Sequence, residues 1–207
     1  MAVFTQINDI QLAAFMADYA LGDAKGFKGI AAGVQNSNYL VDMADRRLIL
    51  TLYEDTQTGV DPNDLPYFLG LMQHLAAAGI ACPTPLLRQD GTLSGTLAGR
   101  PAALVSFLPG RSTVTPKPPQ CRAIGAALAE LHLAGEGFAM RRANTQGPDN
   151  WRRLFDASAA RADEAAPDLA AFMRDELARI EAAWPQDLPQ GVIHADLFPD
   201  NVFFEKG

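Results

Sequence analysis

Residues 27–53 and residues 118–184 carry two different hydrophobic rhythms, and this change of period is what most narrows the folds open to the chain. In the first stretch three short strand-like runs lie at 27–31, 38–43 and 46–53, with the turn residues Ala44 and Asp45 between the last two. Short apolar runs bounded by turn residues predict an antiparallel meander. In the second stretch apolar residues recur three and four apart. Cys121, Ile124, Ala127, Leu128, Leu131 and His132 mark a helix over 118–134, and Leu169, Phe172, Met173, Leu177 and Ile180 mark another over 168–184. Both stripes are expected to face a core. A sheet-forming first half followed by a helical second half defines an α+β class.

Two further helices are predicted. Asn8 can cap one over 9–20, with Ile10, Leu12, Ala13, Phe15, Met16 and Tyr19 as its apolar stripe. Another spans 64–78, with Gly79 as its C-terminal stop and Pro83 and Pro85 beyond it, leading to strands near Leu86 and over 102–107. The 102–107 run ends at Pro109-Gly110, the form expected of a hinge between two lobes. The backbone at Ser106, Phe107 and Leu108 is then a candidate for binding adenine, with an ordinary core strand and turn as the competing explanation.

Charge excludes several partners. Seventeen basic against twenty-four acidic residues leave a net charge of -7, which offers no electrostatic footprint for nucleic acid or an anionic membrane. The uncharged run 65–87 exceeds a bilayer span in length, but Gln73, His74, Gly79, Pro83 and Pro85 interrupt it. Residues 1–20 lack a basic start and a continuous apolar core, so no secretory signal is read there and a cytoplasmic address is expected. Cys82 and Cys121 lie far apart without metal-like spacing and read as reduced thiols.

The chemistry concentrates near the carboxyl end. His194, Asp196 and Asn201 follow the spacing His-x-Asp-x-x-x-x-Asn, between apolar runs at 191–194 and 202–204 that read as strands entering and leaving a loop. In kinases such an aspartate accepts the proton of the attacking hydroxyl, and the asparagine five residues on offers a neutral oxygen to Mg²⁺. The alternative is a packing histidine, a turn-capping Asp196 and an Asn201 that satisfies loop backbone. Upstream, the small-residue turn around Gly33, followed by Asn36, Ser37 and Asn38, lies where a hairpin can fold over nucleotide phosphates; alone it is also an ordinary hairpin. Arg141, Arg142 and Asn144, with Trp151, Arg152 and Arg153, form a basic and aromatic patch in an acidic protein. It suits an anionic substrate or a solvated surface.

Taken together, the catalytic loop, the Gly/Asn hairpin, the hinge and the run Leu128-Ala129-Glu130-Leu131-His132 resemble the aminoglycoside-phosphotransferase-like small-molecule kinases, over nearly the whole chain. Residues 29–34, 65–72, 108–112, 131–135 and 194–201 are together similar to the bacterial members that phosphorylate L-homoserine. The resemblance implies a bilobal protein-kinase-like fold: a nucleotide-binding lobe at 1–103, a hinge at 104–110 and a helical catalytic lobe at 111–207 that is incomplete at its C-terminus. It implies ATP and Mg²⁺ as cofactors, Asp196 as base, Asn201 as metal ligand and His194 as a brace for the loop. Gly33, Asn36, Ser37, Asn38, Ser106, Phe107 and Leu108 would meet the nucleotide, and Arg142, Asn144 and Arg152 the amino-acid substrate.

Two departures stand out. Thr51 occupies the strand position where such kinases carry a phosphate-binding lysine, and the helix after it lacks the partner glutamate. The sequence also stops at Gly207, before the acidic metal ligand the resemblance implies on a following strand. A kinase of another small alcohol, or a noncatalytic nucleotide-binding module, are the readings these departures leave open.

Overall fold

The computed structural model describes residues 3–31, 35–54 and 61–205. Among them are five strands and five α-helices, divided into two compact units: residues 1–140 with 191–207, and residues 141–190.

The first unit is built on an antiparallel sheet of β1 (Gly26–Gly29), β2 (Ser37–Asp42), β3 (Arg47–Leu52), β4 (Gly95–Leu97) and β5 (Arg100–Ser106), in spatial order β1-β2-β3-β5-β4. The expected meander is its first three strands, and a bond from Met43 N–H to the Arg46 carbonyl (2.9 Å) closes the turn between β2 and β3. Period two decides which face each residue takes. Tyr39, Val41, Leu48, Leu50, Leu52 and Leu104 are buried on one face, while Asn38, Ile49 and Thr51 remain partly exposed on the other. β5 lies between β3 and β4 and is buried on both faces from Ala102 to Val105.

Helix α1 (Asp9–Ala17) covers the first face. Its start is a capping box: Asn8 Oδ1 accepts the Gln11 N–H at 2.9 Å, and Gln11 Oε1 accepts the Asn8 N–H at 3.0 Å. Leu12, Phe15, Met16 and Tyr19 join the sheet core, but Ile10, 81% exposed, and Ala13 point outward. At 100° per residue both lie outside the arc spanned by the inward four. The helix stops short of residue 20, because Ala20 (φ 53) and Gly22 (φ 76) turn the chain left-handed.

Helix α2 (Leu65–Ala77) has proline in its first turn and ends before Gly79, whose φ of +87 suits a residue without Cβ. The strand expected near Leu86 is absent. Pro85 makes a single bridge to Val105 and Leu86 N–H reaches the Leu104 carbonyl at 2.9 Å, since proline has no N–H to continue a ladder. The three-residue β4 was not expected. It pairs with β5 across Ala98 and Gly99, whose φ values of 50 and 75 make the tight hairpin turn.

Helix α3 (Pro118–Gly135) matches the expected span, but its stripe is not core. Ile124, Leu128, Leu131 and His132 are half-buried, Cys121 and Ala127 are exposed, and Gly135 alone is fully buried. The packing of α3 is concentrated at its C-terminal end, where His74 Nε2 lies 2.8 Å from the Ala134 carbonyl oxygen.

The second unit is an antiparallel helical hairpin of α4 (Pro148–Ala165) and α5 (Leu169–Ala183). The Trp151 and Trp184 rings meet edge-on at 4.8 Å and Arg174 lies over the ring of buried Phe155. Phe172 and Ile180, expected inside, are 63% and 37% exposed, because a two-helix unit can cover only the facing side of each helix. No helix among the described residues is long and apolar enough to cross a membrane.

Candidate active site

Backbone geometry first makes the loop at 194–201. The chain turns left-handed at Ala195 (φ 63), a conformation that costs a residue with a Cβ and that separates His194 from Asp196. Pro199–Asn201 then form one 3-10 turn, begun by Phe198 N–H on the Asp196 carbonyl and closed by Asn201 N–H on the Phe198 carbonyl, both at 2.9 Å. Folding back brings Asn201 onto Asp196. Its Nδ2 donates to the Asp196 carbonyl at 2.8 Å and to Asp196 Oδ2 at 2.9 Å.

That clamp fixes the chemistry of both side chains. An asparagine amide has two N–H donors, and both are spent on Asp196, so Asn201 Oδ1 is left as an acceptor. Asp196 is exposed, and Oδ1 is the carboxylate oxygen not taken by Asn201. His194 Nδ1 accepts the Asp196 N–H at 3.4 Å, a long bond within the turn.

The loop is not held between two strands, as its flanking apolar runs suggested. Residues 191–194 have no ladder partner among the described residues, and 202–204 find one only at Arg111. Two close contacts anchor it instead. Arg111 and Phe204 exchange both backbone bonds at 3.0 Å, and Gly110 (φ +143) lets them approach: a Cβ there would sit 3.1 Å from Phe203 Cβ and 3.2 Å from the Phe204 oxygen. At the other end Val192 packs on Gly135, where a Cβ would come within 2.8 Å of Val192 Cβ.

At the hairpin, Gly33 lies outside the described residues. Ser37 is fully buried: its hydroxyl donates to Glu54 Oε1 at 2.5 Å and accepts the N–H groups of Phe4 (2.8 Å) and Thr5 (3.0 Å). This corrects the expectation that its hydroxyl serves a ligand. Glu54, 6% exposed, also accepts from Thr5 N–H and Oγ1 and pairs with Arg100 at 3.2 Å. It therefore ties the N-terminal arm, β2 and β5 together. Sequence patterns gave no hint of it, since its partners are 17 to 49 residues away. Asn38 is half-buried on the face of β2 opposite Ser37, and Asn36 is half-buried in the bend just before the strand. Asn36 Oδ1 accepts the Glu54 N–H (3.3 Å), and Asn38 Oδ1 accepts the Thr51 hydroxyl (2.8 Å).

At the candidate hinge, Ser106 is committed to Thr84: its N–H reaches the Thr84 carbonyl and its Oγ accepts the Thr84 N–H, each at 2.9 Å. Phe107 carries the Arg47 guanidinium 4.1 Å from its ring centre, and Leu108 is 40% exposed. Phe107, Ser106, Thr84, Pro85 and Arg47 border an open depression of about 500 Å³.

In the helical hairpin, Arg152 donates from Nε and Nη2 to the two carboxylate oxygens of Glu181, and this contact raises its pKa further. Asn144 builds the entry to α4, its Oδ1 accepting the Gln146 N–H at 2.9 Å. Arg142 donates to the Ala143 carbonyl at 3.3 Å.

The family model described as "Phosphotransferase enzyme family" matches residues 26–207, and the chain belongs to that family. Solved structures share the fold: spectinomycin phosphotransferase in complex with ADP and spectinomycin has a TM-score of 0.65 at 15% identity, covering 98% of this chain and 67% of that one. A microcompartment-associated aminopropanol kinase has a TM-score of 0.61 at 18% identity, covering 94% of this chain and 64% of that one. Among curated proteins, the homoserine kinase of Rhizobium etli (strain CIAT 652) is 54% identical over 204 residues, and that of Methylobacterium sp. (strain 4-46) is 55% identical over the same length. In both cases the match covers 99% of this chain and 63% of the relative, so the chain spans less than two thirds of the proteins it resembles.

Proposed function

We propose that the chain is the nucleotide-binding and catalytic-loop part of an enzyme that transfers the γ-phosphate of ATP to the side-chain hydroxyl of L-homoserine, a step toward threonine in the cytoplasm. The observation that carries this is the Asn201 clamp on Asp196, which leaves one carboxylate oxygen and one amide oxygen open on an exposed loop. Identity above 50% to curated homoserine kinases supports the acceptor.

In this reading Asp196 Oδ1 takes the proton of the homoserine hydroxyl as that oxygen bonds to the γ-phosphorus. The bond from phosphorus to the β,γ-bridging oxygen breaks and ADP leaves. Asn201 holds the carboxylate through Oδ2, and His194 braces the turn through the Asp196 N–H. Residues 1–103 act as the nucleotide lobe, 104–110 as the hinge and 111–207 as part of the catalytic lobe.

Mg²⁺ would neutralise phosphate charge. Asn201 Oδ1 suits it as one hard oxygen ligand, and Mg²⁺ draws much of its remaining coordination from phosphates and water. The described residues hold no cluster of three or more acidic, histidine or cysteine side chains for a metal. Asn36, Asn38, Phe107 and Leu108 are assigned to the nucleotide. Arg142 and Arg152 are assigned to the amino acid by charge complementarity and Asn144 by its neutral amide, with the Glu181 partner of Arg152 to be displaced. ADP release measured on the intact protein with L-homoserine, an aminoglycoside, choline and a hexose tests the acceptor. Turnover should be highest with L-homoserine, and preference for a cationic alcohol would overturn the assignment.

A further inference from the structure

The strand position read as the usual lysine site holds Thr51, whose cross-strand partner in the β2–β3 register is Asn38. α2 carries no acidic residue that would pair with such a lysine. The neighbouring arginines are engaged elsewhere: Arg46 with Asp45 at 2.8 Å, Arg47 over the Phe107 ring, and Arg100 with Glu54 at 3.2 Å. Lys28 shares the open face, one row away across from Leu40. A nucleotide bound under this sheet would need other donors for its phosphate oxygens.

Two such donors are already oriented. Asn38 follows buried Ser37 on β2 and so faces away from the core, and half-buried Asn36 lies in the bend that enters the strand. Each has its amide oxygen occupied by a protein donor: the Glu54 N–H for Asn36 and the Thr51 hydroxyl for Asn38. A side-chain amide has one oxygen and one NH₂ group, so holding the oxygen inward turns the NH₂ outward. The Glu54 N–H is itself fixed, because the carboxylate of that residue is anchored by Ser37, Thr5 and Arg100. The result is a pair of neutral N–H donors beside the missing lysine.

We propose that the NH₂ groups of Asn36 and Asn38, aimed by the Glu54 N–H and the Thr51 hydroxyl, form a lysine-free site for the phosphate oxygens of a nucleoside triphosphate, with Thr51 as its positioning residue. This rests on the kinase reading above and assigns it a different phosphate contact. Neutral donors explain why lysine and its helix glutamate are absent together: dipoles need no counter-charge in a partly buried site.

Calorimetric titration of the intact protein with MgATP and, separately, with adenosine tests it. Thr51→Val removes the hydroxyl and frees the Asn38 amide to rotate. It should weaken ATP binding about five- to tenfold, the worth of one good hydrogen bond, while leaving adenosine binding within about twofold. Thr51→Ser should restore ATP binding. Asn38→Asp, which puts a carboxylate where phosphate should lie, should weaken ATP more than tenfold, again with adenosine spared. Equal losses for ATP and adenosine, no loss for ATP, or a phosphate-specific loss confined to Lys28→Met would overturn the proposal. A wild-type protein that binds neither ligand would remove the kinase reading as well, and that outcome is distinguishable from the others.

Discussion

Gly135→Ala asks whether the catalytic loop is held where α3 meets it. An added Cβ would lie 2.8 Å from Val192 Cβ and 3.4 and 3.5 Å from its two methyl carbons. The first of these is attached to backbone and cannot rotate away, so helix and loop must separate by more than half an ångström to reach ordinary contact, near 3.4 Å. Overpacking of this kind costs about 1–3 kcal/mol. Alanine in place of glycine recovers at most about 1 kcal/mol inside a helix, and less at the last helical residue, which Gly135 is. The net expectation is a loss of about 1–2 kcal/mol. Urea unfolding followed by circular dichroism measures it, and hydrogen exchange at residues 192–197 shows whether the loop loosens. Val192→Gly in the same chain removes the clashing Cβ, so the double variant should be at least about 1 kcal/mol more stable than the sum of the two single effects. A neutral Gly135→Ala, or strictly additive single variants, would refute the close approach as the loop's anchor.

Three other outcomes follow from buried groups. Glu54→Leu strands the Ser37 hydroxyl and the Thr5 donors and should cost about 2–4 kcal/mol in urea unfolding, with Glu54→Gln losing less; an effect below 1 kcal/mol would mean that water replaces the carboxylate. Burial pushes the Tyr19 phenol up to about 12, so between pH 10 and 12 the unfolded chain releases a proton that the folded chain keeps. Stability contributed by this group is complete below pH 10 and should fall by up to about 1.4 kcal/mol per pH unit above it. Tyr19→Phe should flatten that slope by one proton; an unchanged slope would contradict the assignment.

Much of the first unit was legible in the sequence because it is local. The apolar run from Leu48 to Leu52 showed the strand, and Asn8 marked the start of α1. Gly79 marked the end of α2. Helix α4 was missed: Gly147 and Pro148 open it without a side-chain cap, and its basic and aromatic residues at 150–153 read as a loop patch. β4 is three residues long, too short for a period to show, and it exists because Ala98 and Gly99 turn back onto β5. Apolar spacing on α3 and α5 gave their helicity correctly but not their burial, which depends on what packs against each face. The spacing of Asp196 and Asn201 was readable, whereas the clamp between them depends on the left-handed turn at Ala195 and the 3-10 turn after it. The Glu54 cluster gathers residues from four separate parts of the chain, and such convergence leaves no pattern along the sequence.

The role proposed for Asp196 is to accept a proton from an amino-acid alcohol as phosphate is transferred to it. Formation of the phosphate ester from L-homoserine and ATP, followed by phosphorus NMR in the intact protein and in its Asp196→Asn form, tests this most directly. Ester is expected in the wild type, and turnover should fall at least about 100-fold in the variant, with the fold intact by circular dichroism. Undiminished turnover by a folded Asp196→Asn protein would contradict it.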